Sequence, residues 1–163
     1  MVEAALSLAD PGAPEPLYGF YPRYGALVNG ASYVAWLGGQ LFDGNGTPTL
    51  DHPSAIEATR TYAALIARAN LVICPDSGPA HMATALGTTV VGLYATSNPA
   101  RTGPYMSQKF TINRYPDAIR RYLDKNEAEV RWGQRVRDPD AMALIEASDV
   151  TEKIDLFFDD RGL

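Results

Sequence analysis

Two apolar runs, Leu71-Val72-Ile73-Cys74 and Val90-Val91-Gly92-Leu93-Tyr94, flank a short helix-compatible stretch, and this arrangement constrains the fold more than any other feature of the chain. Neither run alternates apolar with polar residues, and the second, entered through Thr88-Thr89, is rich in β-branched side chains. Strands of that kind are buried on both faces of a parallel sheet. The stretch between them carries its own punctuation. Ser77 suits a helix N-cap, Pro79 suits the first helical position, and Gly87 suits the left-handed residue that ends a helix. Strand, short helix and strand make a βαβ unit, whose crossover is right-handed in nearly every known case. The expected fold class is therefore α/β, a parallel sheet with flanking helices. Ligands of open α/β sheets sit beyond the carboxyl ends of the strands. Asp76 to His81 and Tyr94 to Asn98 both fall at that end and are expected to wall one crevice.

The polar turn Asp76-Ser77-Gly78-Pro79-Ala80-His81 delivers the chain from a strand to a helix start, where unpaired N–H groups and the helix dipole favour an anion. Gly78 would let a ligand approach the backbone closely. His81 falls in the first turn, where the dipole favours the neutral ring; that ring still donates one hydrogen bond. Asp76 ends a buried strand, so its carboxylate needs partners, either backbone N–H groups or a ligand's hydroxyls. Two readings of the turn stay open on pattern alone: a phosphate-bearing ligand's site, or a well-formed helix start and nothing more.

The stretch LVICPDSGPAHMATALGTTVVGLYATSNPARTGPY, Leu71 through Tyr105, resembles the signature region of glycosyltransferase family 9, the ADP-heptose:lipopolysaccharide heptosyltransferases. The ordered series is Asp76-Ser77-Gly78-Pro79, His81, Ala83, Ala85-Leu86-Gly87, the Val90 to Tyr94 strand, Asn98-Pro99, and Arg101-Thr102-Gly103-Pro104-Tyr105. Thr61 to Asn70 resembles the helix that leads into this motif, and the resemblance extends over about residues 57 to 160. It implies a Rossmann-like sheet belonging to the C-terminal, donor-binding domain of a GT-B transferase that works with inversion. It also implies that Asp76 holds donor-sugar hydroxyls, that Ser77, Gly78 and Pro79 face the diphosphate, and that His81 lies close to the same groups. Arg101 is a further candidate for the donor phosphates, with a surface ion pair as its alternative. The implied substrates are an ADP-heptose-like nucleotide-sugar, used without a separate cofactor, and a lipid-linked saccharide acceptor at the inner face of the membrane.

A chain of 163 residues has room for one ordinary domain rather than the two of a GT-B enzyme. Residues 1–56 are crowded with Gly and Pro and are expected to be irregular, with short strand-like pieces at Ala26 to Val28 and Tyr33 to Leu37. Residues 57–163 are expected to form part of a nucleotide-sugar-binding domain with C-terminal helices. No residue is assigned as general base. Asp43 sits in the turn Phe42-Asp43-Gly44-Asn45-Gly46, a loop signal that lacks the ligand series of a calcium site. The competing reading is a non-catalytic fragment that binds a nucleotide or sugar phosphate weakly, or only contacts another chain. Such a fragment would self-associate through uncovered surface.

A net charge of −5 argues against broad binding to nucleic-acid backbones. His52, His81 and the single Cys74 do not make up a protein zinc site, and Cys74, in an apolar run, reads as a core thiol. The chain has no apolar run long enough to span a membrane and no signal-like opening, so the expected compartment is the cytoplasm. Farther on, Tyr115, Ile119, Tyr122 and Leu123 recur at helical spacing. Asp138-Pro139 is expected to open a helix carrying Met142, Leu144 and Ile145, and Asp149 with Glu152 to form a capping box. Glu127, Glu129, Arg131, Arg135 and Arg137 read as a solvated mixed-charge linker, which leaves Trp132 unexplained.

Overall fold

The described residues hold four strands, β1 (Gly19–Phe20), β2 (Leu71–Pro75), β3 (Thr89–Tyr94) and β4 (Ile112–Asn113). The computed structural model describes residues 19–20, 35 and 38–162. The pairing is parallel where β1 meets β2, with Gly19 opposite Leu71 and Phe20 opposite Val72. It is parallel again where β3 meets β4, with Leu93 opposite Ile112 and Tyr94 opposite Asn113. The two apolar runs are thus strands, the polar turn leads into a helix, and the α/β class is as expected. The strand-like pieces at 26–28 and, apart from Ala35, 33–37 lie outside the described residues. β1 was not anticipated.

The chain divides into two compact units, Met1–Val72 with Ser77–Thr88, and Ile73–Asp76 with Thr89–Leu163. In the first unit, α1 (Pro53–Arg68) begins well before Thr61 because His52 caps it: its ring accepts from the Ser54 N–H, and Pro53 opens the first turn. Ala55, Ala58, Tyr62 and Ile66 form its buried stripe, and the helix packs on α2 (Gly78–Leu86). Thr88, just past α2, donates from its hydroxyl to the Ile66 carbonyl at 2.9 Å and so ties the end of one helix to the end of the other. Gly87 ends α2 at φ 78°, the left-handed conformation expected of it. The Asp43 turn is a loop, as read: its Oδ1 accepts from the Asn45 and Thr47 N–H groups, and these bonds hold its pKa below the usual carboxylate value.

The second unit is built on β3, in which every residue after Thr89 is buried. After β3 the short helix α3 (Pro99–Thr102) turns the chain, and Gly103 follows it so closely that a Cβ there would lie 2.3 Å from the Pro99 carbonyl oxygen. Cys74 is a buried free thiol, as its apolar run implied. The helix read from Tyr115 to Leu123 forms over those residues as α4, and Tyr115, Ala118 and Ile119 pack with Val136 and Ala141.

Two helix assignments need correction. The segment after Asp138-Pro139 makes only a 3₁₀ turn, Ala141–Leu144, because Ile145 turns extended to reach the next cap. The last helix, α5 (Ala147–Arg161), is capped by Glu146 and Asp149 rather than by Asp149 and Glu152. The Asp149 carboxylate reaches back to the Glu146 N–H at 3.0 Å, so the box lies one turn earlier than the residue pattern suggests. Phe157 anchors α5 edge-on against Phe110, ring centroids 6.0 Å apart.

Candidate functional site

The backbone at Ser77 is extended (φ −155°, ψ 165°), and α2 starts at Gly78, one residue earlier than expected. Pro79 is therefore the second helical residue. This position explains why the Ser77 side chain makes no capping bond. Its ordinary targets are the N–H groups of the second and third helical residues. Pro79 has none, and the Ala80 N–H donates to the Ser77 carbonyl at 3.1 Å. The His81 N–H goes to the same carbonyl at 3.4 Å. Of the first-turn amides only that of Gly78 meets no acceptor among the described residues, so the expected cluster of convergent amides narrows to one.

Gly78 itself has no internal reason to be glycine. Its φ is outside the left-handed region, and a Cβ built on it would meet nothing within 4 Å. Glycine is used where φ must be positive or where something must come close to the backbone. Neither backbone conformation nor packing among the described residues supplies such a reason at Gly78. Pro79 is buried against the unit, whereas His81 is exposed on the same first turn.

Asp76 belongs to the second unit and directly follows β2, with its side chain only 7% exposed. A carboxylate so enclosed needs a counter-charge. Arg135 supplies it: its Nη2 donates to Asp76 Oδ2 at 2.8 Å. The segment carrying Arg135 is pinned on both sides of that residue. The Tyr115 hydroxyl donates to the Gln134 carbonyl at 2.7 Å, and the buried Val136 donates from its N–H to the Thr96 carbonyl at 3.0 Å. Tyr94, at the end of β3, is fully buried and donates from its hydroxyl to the Thr102 carbonyl. Burial foremost, and then the nearby Asp76 carboxylate, push its phenol far above the ordinary value, so it stays neutral. Asp76 and Tyr94 thus come together at the carboxyl ends of their strands.

Arg101 occupies α3, whose N-cap Asn98 accepts from the Ala100 N–H at 2.8 Å and donates to Glu127 at 2.8 Å. Its exposed guanidinium lies over Gly133, where a Cβ would come 3.0 Å from the guanidinium carbon. Arg135 is not among the residues that the motif points to. Arg135 is exposed, as are Glu127, Glu129, Arg131 and Arg137, so the segment is solvated as expected, but Arg135 also pairs with Asp76, and Glu127 and Glu129 are engaged, one by Asn98 and the other by the Asn126 N–H. The unusual density of cations around Trp132 (Arg131, Arg135, Arg137) was the available signal. A polar hollow of about 250 Å³ is lined by Thr111, Ile112, Asn113, Arg114, Asp149, Glu152 and Lys153, none of them among the expected site residues.

Comparison with known proteins accords with the motif. The family model described as glycosyltransferase family 9 (heptosyltransferase) matches residues 60–151. A lipopolysaccharide core heptosyltransferase, OpsX of Haemophilus influenzae, is 38% identical over 97 residues, which are 58% of this chain and 28% of that protein. The chain thus matches little more than a quarter of the length of this curated relative. No solved structure matches it significantly. No helix among the described residues is long and apolar enough to cross a membrane.

Proposed function

Because the chain belongs to glycosyltransferase family 9, we propose that Asp76 to His81 receive the sugar and diphosphate of a nucleotide-sugar donor, ADP-heptose-like, for inverting transfer to a lipopolysaccharide-type saccharide. The observation that carries this reading is Gly78, a glycine that neither backbone conformation nor packing requires, with an amide that meets no acceptor among the described residues. In this reading the Gly78 amide, the Ser77 hydroxyl and His81 stand against the diphosphate, and Pro79 sets the start of the helix that carries them. Asp76, next to them in the chain, holds hydroxyls of the donor sugar. Arg101 is a further candidate for the phosphates. Breaking the sugar–phosphate bond builds charge on the departing diphosphate, and donors fixed in advance stabilise that charge without reorganising.

Residues 57–163 are then part of a donor-binding domain, and the acceptor and the general base act from elsewhere in the working enzyme. The cytoplasm, at the inner face of the membrane where lipid-linked acceptors are built, is the compartment that suits such a reaction. The test is a calorimetric titration of the chain with ADP and with ADP-sugars, repeated for Asp76→Ala and Ser77→Ala. Binding that both substitutions weaken, with Asp76→Ala costing more for the ADP-sugar than for ADP, supports the donor site. Absence of binding by the wild type favours a non-catalytic fragment.

A further inference from the structure

The polar hollow lies wholly within the second unit: one wall is residues 111–114, which contain β4, and the other is Asp149, Glu152 and Lys153 of α5. Its two walls are tied together. Arg114, directly after β4, donates twice to the Asp149 carboxylate in the first turn of α5, and Phe157 holds the same helix against Phe110. The hollow is therefore built before anything enters it, which spares a ligand the cost of ordering its site.

The polar groups on these walls are not equally occupied. The Asp149 carboxylate is engaged by Arg114 and by the Glu146 N–H, so its charge is answered within the wall. Lys153 is different. Its side chain is 24% exposed, and its ion pair with Glu152 spans 3.9 Å, too long for a hydrogen bond, while the carboxylate end of that pair is 76% exposed. A largely enclosed ammonium answered so weakly has hydrogen-bonding capacity to spare, and none of its three N–H groups meets an acceptor among the described residues. Asn113 adds a second donor. Its Oδ1 accepts from the Tyr115 N–H at 3.1 Å, which assigns the oxygen to that side and leaves the amide NH₂ without an acceptor among the described residues.

A spare positive charge and a spare amide thus line a polar space of about 250 Å³. Pockets for drug-sized ligands span about 300–1,000 Å³, so this one suits something smaller, a single sugar ring with one charged group rather than a whole nucleotide-sugar. Acceptors for hydroxyls are present as well: the Glu152 carboxylate, and the Thr111 hydroxyl, whose proton goes to the Ser107 carbonyl.

We propose that this hollow binds a small hydroxylated anion, a sugar phosphate or a sugar acid, with its anionic group on the Lys153 ammonium and the Asn113 amide. The hollow shares no residue with Asp76 to His81, and the inference does not rest on the donor-site reading.

The experiment is an NMR titration of the isotopically labelled full chain, following the backbone amides of residues 111–114 and 149–153, with glucose 6-phosphate, glucuronate, inorganic phosphate and glucose as probes. It is run on wild type, Lys153→Gln, Lys153→Arg and Asn113→Ala. A sugar anion is expected to shift these amides saturably, inorganic phosphate to bind more weakly, and glucose not to bind; whether glucose 6-phosphate or glucuronate binds more tightly identifies the charged group as phosphate or carboxylate. Lys153→Gln should melt like the wild type and weaken the sugar anion about tenfold, Asn113→Ala should weaken it several-fold, and Lys153→Arg should keep most of the affinity. No saturable shift with either sugar anion, glucose or inorganic phosphate binding as tightly as they do, or undiminished affinity in Lys153→Gln overturns the proposal. An ADP titration that fails removes the donor-site reading and leaves this one standing.

Discussion

Arg114 grips the Asp149 carboxylate with two hydrogen bonds, Nε to Oδ2 at 3.2 Å and Nη2 to Oδ1 at 2.6 Å, and so joins the residue after β4 to the first turn of α5. The same carboxylate accepts from the Glu146 N–H. Arg114 foremost, and the Glu146 amide after it, hold the Asp149 pKa below its ordinary value. A carboxyl lowered in the folded state stabilises the protein above the unfolded pKa, and the contribution disappears as pH falls through the folded value. Because Arg114 is 38% exposed, solvent screens part of the effect. Asp149→Asn is expected to cost about 1 kcal/mol at neutral pH. Denaturant titrations of the two proteins should converge as the pH drops below about 4, through the ordinary carboxylate range.

The Val90 N–H, at the buried start of β3, donates to the Ser107 hydroxyl at 3.1 Å rather than to a strand. Ser107 is 4% exposed, so water has little access to replace it. Ser107→Ala strands a buried amide and is expected to lower stability by about 1–3 kcal/mol. The shift should appear in the denaturant midpoint with an unchanged slope.

Gly103 tolerates no side chain, since a Cβ would meet the Pro99 carbonyl oxygen and the Gln108 amide nitrogen, at 2.3 and 2.8 Å. The carbonyl is backbone and accepts the Gly103 N–H itself, so it has nowhere to go. Gly103→Ala is expected to cost more than about 2 kcal/mol. Thermal melts would show it, and a Gly103→Ala melting point equal to wild type would refute the packing described for this turn.

These cases mark what could be read from residues alone. β2, α2 and β3 were legible because an unbroken apolar run, Gly87 and the Thr88 to Tyr94 run each signal their element locally. α4 was legible from helical spacing. β1 was not, because two residues gain strand geometry only by pairing with Leu71 and Val72, and nothing in Gly19-Phe20 announces it. The start of α1 was hidden by an unusual cap, the His52 ring, although Pro53 marked the place. Asp149 was recognised as a capping residue but assigned to the wrong end of its box, since Glu146 is not a common N-cap. At the candidate site the motif residues were identified and their surroundings were not. The link between Asp76 and Arg135 joins positions far apart in the chain, and local pattern carries no record of such a contact.

His81 lies exposed on the first turn of α2, so removing its ring should leave the fold intact. His81→Ala is expected to melt within about 0.5 kcal/mol of wild type, the range for surface changes, while weakening ADP binding several-fold. Equal ADP affinity in the two proteins would take His81 out of the proposed site.

The most direct measurement is calorimetric titration of Gly78→Ala with ADP, beside a thermal melt of the same protein. The added methyl enters open space in the folded chain, and alanine suits a helix at least as well as glycine, so the melt should be unchanged or slightly higher. Affinity for ADP should fall by about tenfold or more, because the methyl occupies the place where a phosphate must approach the Gly78 amide. A Gly78→Ala protein that melts like the wild type and binds ADP with undiminished affinity would contradict the account.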